Sequence, residues 1–140
     1  MDSANHWEVA DEASMRKLGA KLTSEFSAGD VVMLFGELGA GKTTLVRGIL
    51  AGLGWIGEVR SPTFNLLQTY SVEPPVLHAD LYRVATWQGI GIEDYLETHL
   101  CLVEWPERMQ GLVDERNAFQ IHIQFTDDGR LVELIPPAKL

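Results

Sequence analysis

The chain is poor in cysteine, in positive charge and in long apolar runs. Its 140 residues include one cysteine, Cys101, so no internal disulfide can form. The flanking Leu100, Leu102 and Val103 make that thiol a small buried hydrophobe rather than a redox centre. Eleven Lys and Arg stand against twenty Asp and Glu, a net charge of −9. A surface of that sign repels nucleic-acid phosphate, so direct gripping of RNA or DNA is not expected. No stretch approaches the roughly 18 consecutive apolar residues of a membrane span. Met1-Asp2-Ser3-Ala4-Asn5-His6 lacks the basic-then-apolar character of a signal peptide. The expectation is a cytoplasmic protein without membrane attachment. What is present, 46% hydrophobic residues with no repeat or low-complexity tract, suits one folded domain over residues 1–140.

Along the chain, Asp11 is placed to cap a helix, with Glu12 in its first turn. Met15, Leu18, Leu22 and Phe26 form its apolar stripe, and Gly29 offers a stop. Val31-Val32-Met33-Leu34-Phe35 is a continuous apolar run, the pattern of a strand covered on both faces. A glycine-rich segment follows, and then Leu45, Ile49 and Leu53 recur at helical spacing until Gly52 and Gly54 end the helix. Phe64 to Tyr70 reads as a further strand, Pro74-Pro75 as a turn, and Val76 to Ala79 as a core strand ending at Asp80. Gly89 and Gly91 break Thr86 to His99 into two short helical pieces. Leu100 to Val103 is a short apolar strand with Glu104 at its end. In the tail, Phe119, Ile121, Ile123 and Phe125 alternate with Gln120, His122, Gln124 and Thr126. That is a half-buried strand, turned by Asp128-Gly129 into a partner over Leu131 to Ile135.

Gly36-Glu37-Leu38-Gly39-Ala40-Gly41-Lys42-Thr43 has the spacing of a phosphate-binding loop. Glycines let the backbone close around phosphate oxygens and take positive φ without strain. Successive N–H groups then form an anion nest, and the helix that follows adds its free amides and positive dipole end. Lys42 brings a full charge to the β- and γ-phosphates, and the Thr43 hydroxyl can ligate Mg²⁺. A glycine turn with a solvated lysine is the plainer alternative. The apolar strand before the loop and the amphipathic helix after it favour the phosphate reading. The fold expected is α/β: a P-loop NTPase-like three-layer domain, its mixed, mostly parallel sheet extended by a C-terminal antiparallel hairpin. Such a site needs an acidic group at a neighbouring strand end. Asp80 and Glu104 both qualify, and spacing does not decide which meets the metal and which orients water.

Four segments together carry a specific likeness. Gly36 to Thr44, Ser61-Pro62-Thr63-Phe64, His78-Ala79-Asp80-Leu81-Tyr82-Arg83 and Leu102-Val103-Glu104-Trp105-Pro106-Glu107-Arg108 resemble, in this order, the TsaE (formerly YjeE) family. Gly91-Ile92-Glu93-Asp94-Tyr95 is similar to the family's segment between the last two. The resemblance runs from about Asp11 to Ile135. It implies a small bacterial P-loop ATPase of tRNA threonylcarbamoyladenosine synthesis, binding ATP with Mg²⁺ and slow when alone. Its implied partners are TsaB and TsaD, which perform the transfer and hold the tRNA, so tRNA is met only through the complex. It further implies Gly39, Ala40, Gly41, Lys42, Thr43 and Thr44 around the phosphates, and Thr43 with Glu104 at the metal. Asp80 joins Lys42 in catalysis, Thr63 senses the γ-phosphate from a switch-like loop, and Ala10 and Arg130 lie near the adenine.

The alternatives are a small P-loop kinase or a nucleotide-dependent binding switch. The chain has little length for an acceptor lid, and no Asn-Lys-x-Asp or Thr-Lys-x-Asp segment for guanine occurs. Trp105 reads equally as a core aromatic or as a wall of the nucleotide or partner site, and Trp87 as a core or interface aromatic. His78 shares a face with Asp80 and suits a structural hydrogen bond. Arg83 is either a surface residue or a partner of phosphate or Glu104.

Overall fold

A computed structural model describes residues 5–59 and 66–138 of the chain. The Ser61-Pro62-Thr63-Phe64 segment, and with it the expected γ-phosphate sensor Thr63, lies outside the described residues. The strands are β1 (Asn5–Val9), β2 (Val31–Phe35), β3 (Leu67–Tyr70), β4 (Val76–Asp80), β5 (Leu100–Glu104), β6 (Phe119–Phe125) and β7 (Arg130–Ile135). Two helices, α1 (Glu12–Leu22) and α2 (Lys42–Gly52), accompany them. The strands make one seven-stranded sheet in the order β1-β7-β6-β2-β5-β4-β3. At its centre β6, β2, β5 and β4 are parallel. Antiparallel pairing adds β7 and then β1 on one side and β3 on the other.

The sheet is covered on both faces. On one, α1 and α2 bury Met15, Leu18, Leu45 and Ile49 against Val32, Leu34, Leu102 and Ile121. On the other, Met33, Leu77, Ala79, Cys101 and Val103 lie beneath Leu81, Ile92 and Met109. This second covering layer is built from 3₁₀ turns, Ile92–Tyr95 and Pro106–Met109, rather than α-helices. Glycines at 89 and 91 account for the first of these, since both take positive φ. Thr86 to His99 therefore yields one 3₁₀ turn where two helical pieces are expected.

The Asp11 cap forms as expected, its carboxylate accepting from the Ser14 amide at 2.8 Å. α1 stops at Leu22, seven residues before Gly29. Thr23 bonds its hydroxyl back to the Ala20 carbonyl at 2.8 Å, and Thr23–Glu25 tightens to 3₁₀. Phe26 is still buried, edge-on to Phe119. Strand β1, unforeseen from the sequence, pairs along its whole length with Arg130 to Leu134 of β7. Phe125, expected on the buried face of β6, is half exposed because the strand runs past the core there.

The helix pair depends on glycine at a contact the sequence does not advertise. A Cβ at Gly48 would stand 2.2 Å from the Arg16 carbonyl oxygen, and one at Gly19 would stand 2.5 Å from that of Leu45. Alanine is the better helix former by about 1 kcal/mol. Gly48→Ala is nevertheless expected to destabilise by about 2–3 kcal/mol through overpacking, lowering Tm by roughly 10 °C. A calorimetric scan that found Tm unchanged or raised would refute the close approach. Cys101 is fully buried on β5, and burial pushes its thiol pKa up to about 12. The folded protein is expected to leave thiol reagents unreacted, with labelling appearing only as denaturant unfolds the chain.

Candidate functional site

β2 ends at Phe35, and the chain turns through Gly36 to Ala40 into the first residue of α2, Lys42. Two positions there require glycine: Gly39 has φ +80° and Gly41 has φ +112°. Gly41 also presses on α1, where a Cβ would meet the Met15 methyl at 2.9 Å. As the N-cap of α2, Gly41 offers no side-chain acceptor to the first amides of the helix. A helix start capped by glycine in this way, with its positive dipole end toward the loop, suits an anion.

Lys42 is almost wholly buried. Its ammonium donates to the Gly36 carbonyl and lies 4.4 Å from the centre of the Trp105 ring. Trp105 thus belongs to the site as a wall, held in left-handed backbone geometry at φ +58°, where a bulky side chain is strained. Its ring also leans on Tyr82 at 4.8 Å. The β4–β5 register sets Asp80 beside Glu104. Thr43 Oγ1 donates to Glu104 Oε2 at 3.2 Å, joining the first turn of α2 to the end of β5. His78 Nε2 stands 2.6 Å from the same oxygen. Of His78 and Arg83, it is therefore His78 that reaches Glu104, and Arg83 is exposed.

Asp80 is half-buried and accepts from the Tyr82 amide at 3.1 Å. Partial burial raises its pKa above the ordinary 3.8. The Tyr82 hydrogen bond opposes that rise, Glu104 adds to it, and Lys42 acts against it.

Lys42, Thr43, Asp80, Glu104 and Trp105 line one cavity of about 290 Å³. A second, of about 310 Å³, lies across the phosphate loop and is lined by Ala10, Asp11, Met15 and Arg130. Gly39, Gly41 and Thr44 border both. The structure thus brings Ala10 and Arg130 together beside the loop. Arg130 is also fastened to it: Nε donates to the Ala40 carbonyl at 3.0 Å and Nη2 to that of Gly39 at 3.3 Å. Its guanidinium lies 4.3 Å from the Phe125 ring, which explains what the exposed end of β6 does. A roomier cavity of about 970 Å³, around Gln110 to Asn117, contains neither the loop nor the two strand-end carboxylates.

Among the described residues, no group of three or more His, Cys, Asp or Glu could hold a metal ion. Mg²⁺ is commonly held by one or two carboxylates together with phosphates rather than by a protein cage. The converging Thr43 hydroxyl and Glu104 carboxylate supply the hard oxygen donors it prefers. Again among the described residues, no helix is long and apolar enough to cross a membrane.

An apolar parallel strand, a glycine nest, a buried lysine opening a helix and two acidic strand ends define a P-loop nucleotide-binding protein. The sequence profile described as threonylcarbamoyl adenosine biosynthesis protein TsaE matches residues 9–132. A tRNA threonylcarbamoyladenosine biosynthesis protein TsaE from Haemophilus influenzae is 40% identical over 142 aligned positions, 94% of this chain and 89% of that relative. The Bacillus subtilis protein of the same description is 36% identical, over 92% of this chain and 89% of its own length. The crystal structure of Bacillus subtilis YdiB matches with a TM-score of 0.80 at 31% identity, covering 99% of this chain and 88% of that one. The chain belongs to the TsaE family.

Proposed function

We propose that this protein binds ATP with Mg²⁺ and hydrolyses it as a subunit of the tRNA threonylcarbamoyladenosine machinery, acting with TsaB and TsaD. The observation that carries the reading is the convergence of Lys42, Thr43, Asp80 and Glu104 on one cavity at the start of α2. The amides of Gly39 to Thr44 receive the phosphate oxygens, and Lys42 leaves the Gly36 carbonyl and Trp105 ring to meet the β- and γ-phosphates. Thr43 and Glu104 hold the metal, since their side chains already meet. Bound Mg²⁺ neutralises phosphate charge. Asp80, raised in pKa and aimed by the Tyr82 amide, orients the attacking water and accepts its proton. Ala10 and Arg130 flank the adenine across the loop, and Thr63 senses the γ-phosphate.

The net charge of −9 suits a subunit that reaches tRNA only through its partners. Phosphate release by the purified chain, with and without TsaB and TsaD, tests the proposal. Slow hydrolysis alone and a marked rise with the pair is the expected result. A rate unaffected by the pair, or a phosphorylated metabolite in place of free phosphate, would overturn it.

A further inference from the structure

One buried polar side chain in the site is still without a role. His78 on β4 has no exposed surface, and its Nδ1 has no hydrogen-bond partner among the described residues. The parallel register aligns His78 with Leu102 and Asp80 with Glu104. His78 is therefore a diagonal same-face neighbour of Glu104, within reach of a long side chain. That reach is realised in the 2.6 Å contact between Nε2 and Oε2.

We propose that His78 is a positioning residue whose Nε2–H holds Oε2 of Glu104, fixing the carboxylate in one orientation toward Thr43 and Mg²⁺. The inference rests on the reading of Thr43 and Glu104 as the metal site. An ionised carboxylate only accepts hydrogen bonds, so the hydrogen between the two groups belongs to the ring. With the hydrogen on Nε2, Nδ1 keeps only a lone pair. A buried acceptor without a partner is tolerated better than a buried N–H without one. The opposite tautomer would leave Nδ1–H unmet and set two lone pairs against each other at 2.6 Å. Oε2 then accepts from both His78 and Thr43, which leaves Oε1 for the metal or its water. Partners that orient a metal ligand in this way typically change metal affinity by about 10–100-fold.

The test is calorimetric titration of the full chain with a non-hydrolysable ATP analogue, in Mg²⁺ and in EDTA, for wild type, His78→Leu and His78→Gln. Wild type is expected to bind more tightly with Mg²⁺. His78→Leu should lose about 10-fold or more of that gain while its affinity in EDTA stays put. His78→Gln, with an N–H near the Nε2 position, should recover most of the gain. Imidazole ¹⁵N spectra of the wild type should show hydrogen on Nε2 and a bare Nδ1, and this decides the matter even if His78→Leu does not fold. An undiminished Mg²⁺ gain in His78→Leu, or a hydrogen on Nδ1 alone, overturns the proposal. A wild type that gains nothing from Mg²⁺ sinks the metal reading itself, and this inference with it.

Discussion

Lys42→Ala is expected to bring ATP hydrolysis down by roughly 10²–10³-fold, the scale of losing a preorganised charge at the reacting centre. Among the described residues that line the phosphate cavity no other cation replaces it, and Asp80 and Glu104 carry the wrong sign. The ligand-free chain should scarcely notice. Its ammonium is nearly buried, held by one carbonyl and one aromatic face. Removing it forfeits those contacts and also the desolvation they offset. The clearest check is a thermal shift: wild type should gain stability on adding ATP and Mg²⁺, and Lys42→Ala should lose that gain. An equal shift in both proteins would place nucleotide elsewhere.

Asp80→Asn is expected to separate binding from turnover. The amide keeps the shape and still accepts from the Tyr82 N–H, but it takes no proton from water. Turnover should fall by roughly 10²–10⁴-fold while affinity for ATP stays near wild type. Stability should move the other way. Partial burial raises the pKa of Asp80 above its ordinary 3.8, so the folded state binds its proton more tightly than the unfolded state does. Stability then falls as pH rises from that ordinary value through the raised one, and the penalty stays in full above it. The uncharged amide carries no such penalty. The variant should therefore match wild type in acid and exceed it in Tm at neutral pH. Parallel Tm curves with no divergence would remove the strain assigned to this carboxylate, and undiminished turnover would remove its catalytic role.

The site was legible from the chain wherever the chemistry is contiguous. Val31 to Phe35, the glycine loop and the helix from Lys42 follow one another, so local spacing alone marks them. Asp80 and Glu104 were legible as strand ends, since each closes an apolar run. Which of them the first turn of α2 reaches was not. The fold brings Glu104 to Thr43 across 61 residues. Arg130 illustrates the same limit: its grip on Ala40 joins residues 90 apart. The edge strand β1 gave no sign of itself, because only Val9 in it is fully buried and its partner lies at the far end of the chain.

Composition, periodicity and the spacing of glycine, lysine and threonine determined an α/β chain with a phosphate nest, for those are properties of neighbours along the backbone. Only the tertiary structure decided that Trp105 faces Lys42, that His78 rather than Arg83 reaches Glu104, and that the second covering layer is 3₁₀. Each of these follows from strand register and loop closure, which bring distant side chains within a few ångströms and leave no periodic trace in the sequence.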